Sequence, residues 1–401
     1  MAGCGELTSK SAGGSGETGL RIAQLRTHTP VGSGQARRLA GTGCNTARAA
    51  VRLLPAVTAM VRTVGSPFGV ASTSDGRWSF VDEGGELNGS VAVFSDSRFT
   101  PRLVHTIPLA ASPAGNALTP DGQYLLVAEP DGGVIVMSVA RAVAGRQHAV
   151  LGLLHSAAGG AIEVTASPDS RYVFASDEDT SEVSVYDLQT ALAQRFATSG
   201  YIGAVRLGKA VVGTALSPNG RWLYATSERA AGAPAANFQG TLTVISVGAA
   251  EHNPAHAVVA TADAGCSPVR VLVSADGRIV WVTARASNEL LAFSAAKLRS
   301  DPALALLATV RVGEAPVGLA FAAGGRDIVV ADSNRVLGPL SRSDLTLVNT
   351  AQALLGRRSV IGTIAAGAFP REMSLEANGK VLLISNYDSD QLEAVQITAI
   401  P

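Results

Sequence analysis

The sequence predicts an all-β chain folded as a seven-bladed β-propeller of four-stranded antiparallel blades, and three observations carry that expectation. One hairpin phrase recurs seven times, its copies are spaced near fifty residues apart, and each copy is followed by two further runs of strand length. Anchored on the turn residue, the copies fall at Gly76, Gly122, Ser170, Gly220, Gly277, Gly325 and Gly379, with gaps of 46, 48, 50, 57, 48 and 54 residues.

Each phrase has the form apolar-x-Ser/Thr-Pro/Ala-Asp/Asn-Gly-Arg followed by alternating apolar residues, as in ALTPDGQYLLV, ALSPNGRWLYA and LVSADGRIVWV. The Asp-Gly or Asn-Gly pair supplies the positive φ of a tight turn, and the alternation that follows is strand period. Third strands come next, for example at 133–139, 241–247 and 391–397, then fourth runs such as 102–109 and 306–312. A linear stack of such units would leave apolar ends, whereas a closed ring covers them. The seventh repeat stops after its third strand and the first is preceded by a spare apolar run, so residues 60–64 are expected to complete the last blade.

Residues 1–58 are set apart from the propeller at 59–401. They are rich in Gly, Ser, Thr and Ala, basic, and expected to be a disordered or targeting leader. Arg37-Arg38 faintly resembles a twin-arginine signal, and residues 1–4 resemble the end of a bacterial lipoprotein signal. No complete export signal is present as the chain is written, and a periplasmic, cell-surface or secreted location is expected. Cys4, Cys44 and Cys266 form no disulfide framework by spacing and read as ordinary thiols.

The 401 residues hold 32 basic and 32 acidic side chains, so no overall field favours nucleic acid, and no apolar run is long enough to span a bilayer. The six histidines lack zinc spacing, and neither a Gly-x-Ser-x-Gly elbow nor a phosphate-binding loop occurs.

The second strands read FVDE, LVAE, FASD, YATS, WVTA, VVAD and LISN. These resemble the Tyr-Val-Thr-Asn signature of YVTN-type β-propeller repeats, with its Ser-Pro-Asp-Gly-Arg turn, over all seven copies. The resemblance implies the propeller superfamily that includes 6-phosphogluconolactonase-like lactonases. Those relatives commonly place an Arg-His pair where the inner strand begins, but the corresponding phrases here, 269–271 and 370–372, keep the arginines Arg270 and Arg371 and have no histidine.

Reading the repeats as columns locates a candidate site. Seven residues before each anchor stand Gly69, Gly115, Glu163, Gly213, Arg270, Gly318 and Glu372. Glycine suits close packing at the axis, so Glu163, Arg270 and Glu372, with the neighbouring Arg371, are expected to place charges in the channel. One expectation is an anion held by Arg270 and Arg371 with Glu163 or Glu372 as general base, and the other is an ion-pair network that plugs the channel.

Seven residues after each anchor stand Glu83, Glu129, Asp177, Ser227, Ala284, Asp332 and Asn386. Asp177, Asp332 and Asn386 are candidate substrate contacts. Glu83, Glu129 and Asp177 are candidate ligands for a divalent cation, calcium or magnesium, against the simpler role of capping strand ends. The long loops at 227–240 and 332–344 add a recognition rim. The expected function is non-enzymatic binding of a small molecule or protein at the channel mouth by a monomer, with lactonase-like hydrolysis of a sugar-acid lactone as the alternative.

Overall fold

The structure is a computed structural model that describes Cys44 and residues 47–49, 51–85, 88–96, 99–146, 148–155, 159–234, 238–335 and 343–397. Residues 1–43, which carry the signal-like segments and Cys4, lie outside the described residues. Seven four-stranded sheets are arranged in chain order, each antiparallel throughout. Blade three shows the pattern, with its inner strand at Ala161–Ala166, then Tyr172–Asp177, Glu182–Asp187 and Tyr201–Arg206 outermost.

The hairpin phrase has a local cause. Thr73, Thr119, Ser167, Ser217 and Ser274 each donate their hydroxyl to the Asp or Asn two residues on, at 2.5–2.8 Å. The same Asp or Asn oxygen then accepts the backbone N–H two residues further, as Asp75 does from Arg77 at 3.1 Å. The anchor residue follows with positive φ, 65° at Gly76 and 58° even at Ser170. Blade six lacks the polar pair and turns through a 3-10 segment, Ala323–Gly325.

Among the described residues five short helices follow third strands, such as Leu188–Ala193 and Ala295–Ser300, and the alternating strand pattern gives no sign of them. Their first turns are capped by the side chains of Ser138, Asp187, Ser246, Ser294 and Asn349.

Blade-to-blade packing makes the core. Phe174, Val185, Leu223 and Ile245 fill the interface of blades three and four, and Trp281, Leu290, Ile328 and Val348 that of blades five and six. An inner collar, Phe68, Ala114, Ile162, Val212, Val269, Val317 and Phe369, takes one apolar residue from each blade. Among the described residues no helix is long and apolar enough to cross a membrane.

The first and last described strands meet in blade seven, where Thr58–Arg62 pairs antiparallel with Gln391–Gln396 and Met60 faces Glu393. The strand spans 58–62, because Thr63 and Val64 already turn inward to Asp390 and Glu83. Upstream of it the chain runs along the rim as a strap. Val57 accepts from Gln396, Leu54 and Arg52 bond Thr363 of blade six, Ala49 donates to Val312 of blade five, and Arg48 pairs with Glu314. The strap ends in a disulfide between Cys44 and Cys266, 222 residues apart, with Cα atoms 5.9 Å apart. This corrects the reading of those cysteines as ordinary thiols: spacing along the chain carries no information about two residues that ring closure brings together.

Candidate functional site at the channel mouth

The axial column is governed by close approach. A Cβ on Gly115 would lie 2.7 Å from the Ile162 carbonyl oxygen, on Gly213 2.1 Å from that of Val269, and on Gly318 2.3 Å from that of Arg371. Four blades therefore hold glycine where their inner strands touch the next blade.

As in the glycine blades one, four and six, the inner strands of blades three, five and seven carry a register shift at this column, in these three between Ala161 and Glu163, Pro268 and Val271, and Pro370 and Met373. Such bulges re-aim a side chain. A hydroxyl from the second strand locks each one: Glu163 N–H donates to Ser176 at 3.0 Å, Arg270 N–H to Thr283 at 3.1 Å, and Glu372 N–H to Ser385 at 3.0 Å. Thr283 and Ser385 then donate to the neighbouring blade, to Val317 O at 2.8 Å and Phe68 O at 2.6 Å. The Thr or Ser of the second-strand signature thus ties the bulges of blades five and seven to the next blade.

The three exceptional side chains meet. Arg270 donates through Nε to Glu372 Oε1 at 2.6 Å and its Nη2 lies 2.5 Å from the same oxygen, while Glu163 Oε2 is 3.8 Å from Nε. Glu163 Oε2 also accepts the Thr214 N–H at 2.9 Å, and Arg270 Nη1 donates to the Val212 carbonyl. The arginine side chain is 4% exposed, the carboxylates 22% and 18%. Burial pushes Glu163 up to about 7, against the pull of Arg270 and with a push from Glu372. Burial alone would lower Arg270, but Glu372 and Glu163 outweigh it and raise it.

Arg371 takes a different course. In the other six blades the residue before the axial column is apolar; in blade seven it is this arginine. Its guanidinium lies 3.4 Å from the ring centre of Phe68, 5.2 Å from Tyr387 and 5.3 Å from Phe369. Burial brings its pKa down to about 10. Arg335, from the long loop of blade six, stands over Phe369 at 5.4 Å, and Arg285 pairs with Glu228 across blades five and four at 2.7 Å. Phe369, Tyr387 and Arg335 stand at no repeat position, and Phe68 is one of the six apolar residues in the column before the axial one, so the one available signal was the arginine in that otherwise apolar column.

The second column lies at the same face, since Asp177 opposes Ala161, Asp332 opposes Pro316 and Asn386 opposes Pro370. Its members bond within their own blades. Asp177 accepts from Ser184 at 2.5 Å, Asp332 from Thr346 at 2.5 Å and Glu83 from Ser90 at 2.8 Å, while Asn386 donates to Glu393 at 2.7 Å. Desolvation raises Asp177 to about 7, Asp332 well above the carboxylate range, and Glu83 and Glu129 upward. Glu129 folds back over Gly132 of its own turn.

Glu83, Glu129 and Asp177 thus stand on three separate blades, and among the described residues no three His, Cys, Asp or Glu side chains are grouped to hold a metal ion.

The fold is similar to a chain of the solved structure titled Kuenenia stuttgartiensis Hydrazine Synthase, with a TM-score of 0.66 and 16% identity over 85% of this chain and 98% of that one. No curated protein sequence matches the chain. The family described as "Lactonase, 7-bladed beta-propeller" matches residues 55–342. With the seven blades and this match together, the chain belongs to the lactonase seven-bladed β-propeller family.

Proposed function

We propose that this propeller is a non-enzymatic binding protein that works through the channel mouth and its rim loops. The observation that carries the reading is the clamp of Arg270 on Glu372 and Glu163. A general base needs a lone pair free to reach a water molecule beside the substrate. One oxygen of each carboxylate already accepts from Arg270 or Thr214, which fits carboxylates that compensate a buried cation.

The lactonase-like alternative has one observation in its favour: Glu163, pushed up to about 7, would change protonation near neutral pH, as a base in hydrolysis does. In that reading Arg270 and Arg371 hold the lactone and Glu163 or Glu372 activates water.

Turnover of a panel of aldonolactones by the purified full chain separates the two. Rates at the uncatalysed background support the binding reading. Hydrolysis that Glu163→Gln and Glu372→Gln both abolish, in folded protein, overturns it.

A further inference from the structure

Arg371 is the anomaly of the mouth. It is 9% exposed, and neither its Nε nor its Nη1 finds a hydrogen-bond partner among the described residues. The other arginines of the mouth are different: Arg270 has two carboxylates and Arg285 has Glu228. Stacking on Phe68, Phe369 and Tyr387 compensates Arg371 in part, since a desolvated cation–π contact contributes less than the burial of an ion costs. A second guanidinium, Arg335, shares the Phe369 ring and lies close enough that the two cations disfavour each other. Two neighbouring cations without an ion-pair partner among the described residues, against an aromatic wall, form a place that lacks an anion.

We propose that Arg371 anchors a small carboxylate ligand at the channel mouth, with Phe68, Phe369 and Tyr387 holding the guanidinium from behind. This deepens the binding function proposed above and rests on it. The stacked guanidinium selects a flat anionic group, because it already lies on a ring and has only its plane to offer to an acceptor. Glu372 and Glu178 lie within electrostatic reach of Arg371 and disfavour a dianion such as phosphate, so a single compact charge fits best. With its pKa at about 10, Arg371 is charged at neutral pH.

Sodium benzoate is a suitable probe, with its neutral isostere benzamide and inorganic phosphate as comparisons at equal ionic strength. Calorimetric titration of the full chain is expected to show saturable benzoate binding at least tenfold tighter than that of either comparison. Arg371→Met, which keeps the stem over Phe68, is expected to lose tenfold or more, and Arg371→Lys less. Benzamide or phosphate binding as well as benzoate, or benzoate binding unchanged in folded Arg371→Met, overturns the proposal. Should that variant not fold, the benzoate-to-benzamide ratio of the wild type decides alone. Absent benzoate binding with absent lactone turnover sinks the carboxylate site and leaves the non-enzymatic reading standing. Benzoate binding together with Glu163-dependent turnover does the reverse.

Discussion

Blades one, two, four and six place glycine at the axis, and blades three, five and seven place Glu163, Arg270 and Glu372 there. At one position of one repeated unit, the first group is held by contact and the second by charge. Gly213 and Gly318 let a carbonyl of the next blade approach to a distance no Cβ tolerates. In the charged blades a bulge turns the side chain toward its counterparts, and the Ser or Thr of the second strand secures the backbone. Since the inner strands of blades one, four and six are bulged at this column as well, the difference lies in the side chain: the axial column is a packing constraint, and the large residues that stand in it find an opposite charge.

The strongest way to break this comparison is to remove the central cation. Arg270→Met leaves Glu163 and Glu372 facing each other uncompensated, and should destabilise the folded state by about 3–5 kcal/mol at neutral pH in denaturant titration. A loss below about 1 kcal/mol would mean that the ion cluster does not hold the axis.

The rim offers a competing explanation of what keeps the ring closed. The Cys44–Cys266 disulfide pins a strap that crosses blades five, six and seven, so Cys44→Ser with Cys266→Ser should cost about 2–4 kcal/mol. Dithiothreitol should lower the melting temperature of the wild type and not that of the double variant.

A glycine blade can be tested in the same currency of stability. Gly213→Ala sets a methyl group against the Val269 carbonyl and should cost about 1–3 kcal/mol, whereas Glu163→Ala, at a position that already accommodates a Cβ, should not show that steric cost.

The smallest expected effect is a pH dependence. Asp177 and Glu163 have folded pKa values raised to about 7, above the ordinary 3.8 and 4.5. The folded chain therefore binds more protons than the unfolded chain between those values, and stability falls as pH rises from about 4 to about 7. Asp177→Asn, which keeps an acceptor for Ser184, should flatten that fall by about 1 kcal/mol or more, read as a melting temperature at pH 8 roughly 2 °C or more above the wild type.

The repeat phrase determined a great deal without any structure. Asp75, Asp121, Asp169, Asn219 and Asp276 act within two residues of their partners, so the turn is written locally and the blades can be counted from it. The axial column was legible for the same reason, because glycine at a fixed distance from a local turn marks a fixed place in the blade.

What the column reading left open was which charges would meet and which would not. Arg270 reaches Glu372 across 102 residues, Ser385 reaches the Phe68 carbonyl across 317, and Cys44 reaches Cys266 across 222. No local pattern encodes these pairs, because the ring must close before its blades define an axis or its strap a rim. Closure joined Arg270 to two carboxylates and left Arg371, one residue from Glu372 in the chain, against three aromatic rings instead. Residue type and period set the blades; only the tertiary structure decided that one arginine is satisfied and the other is not.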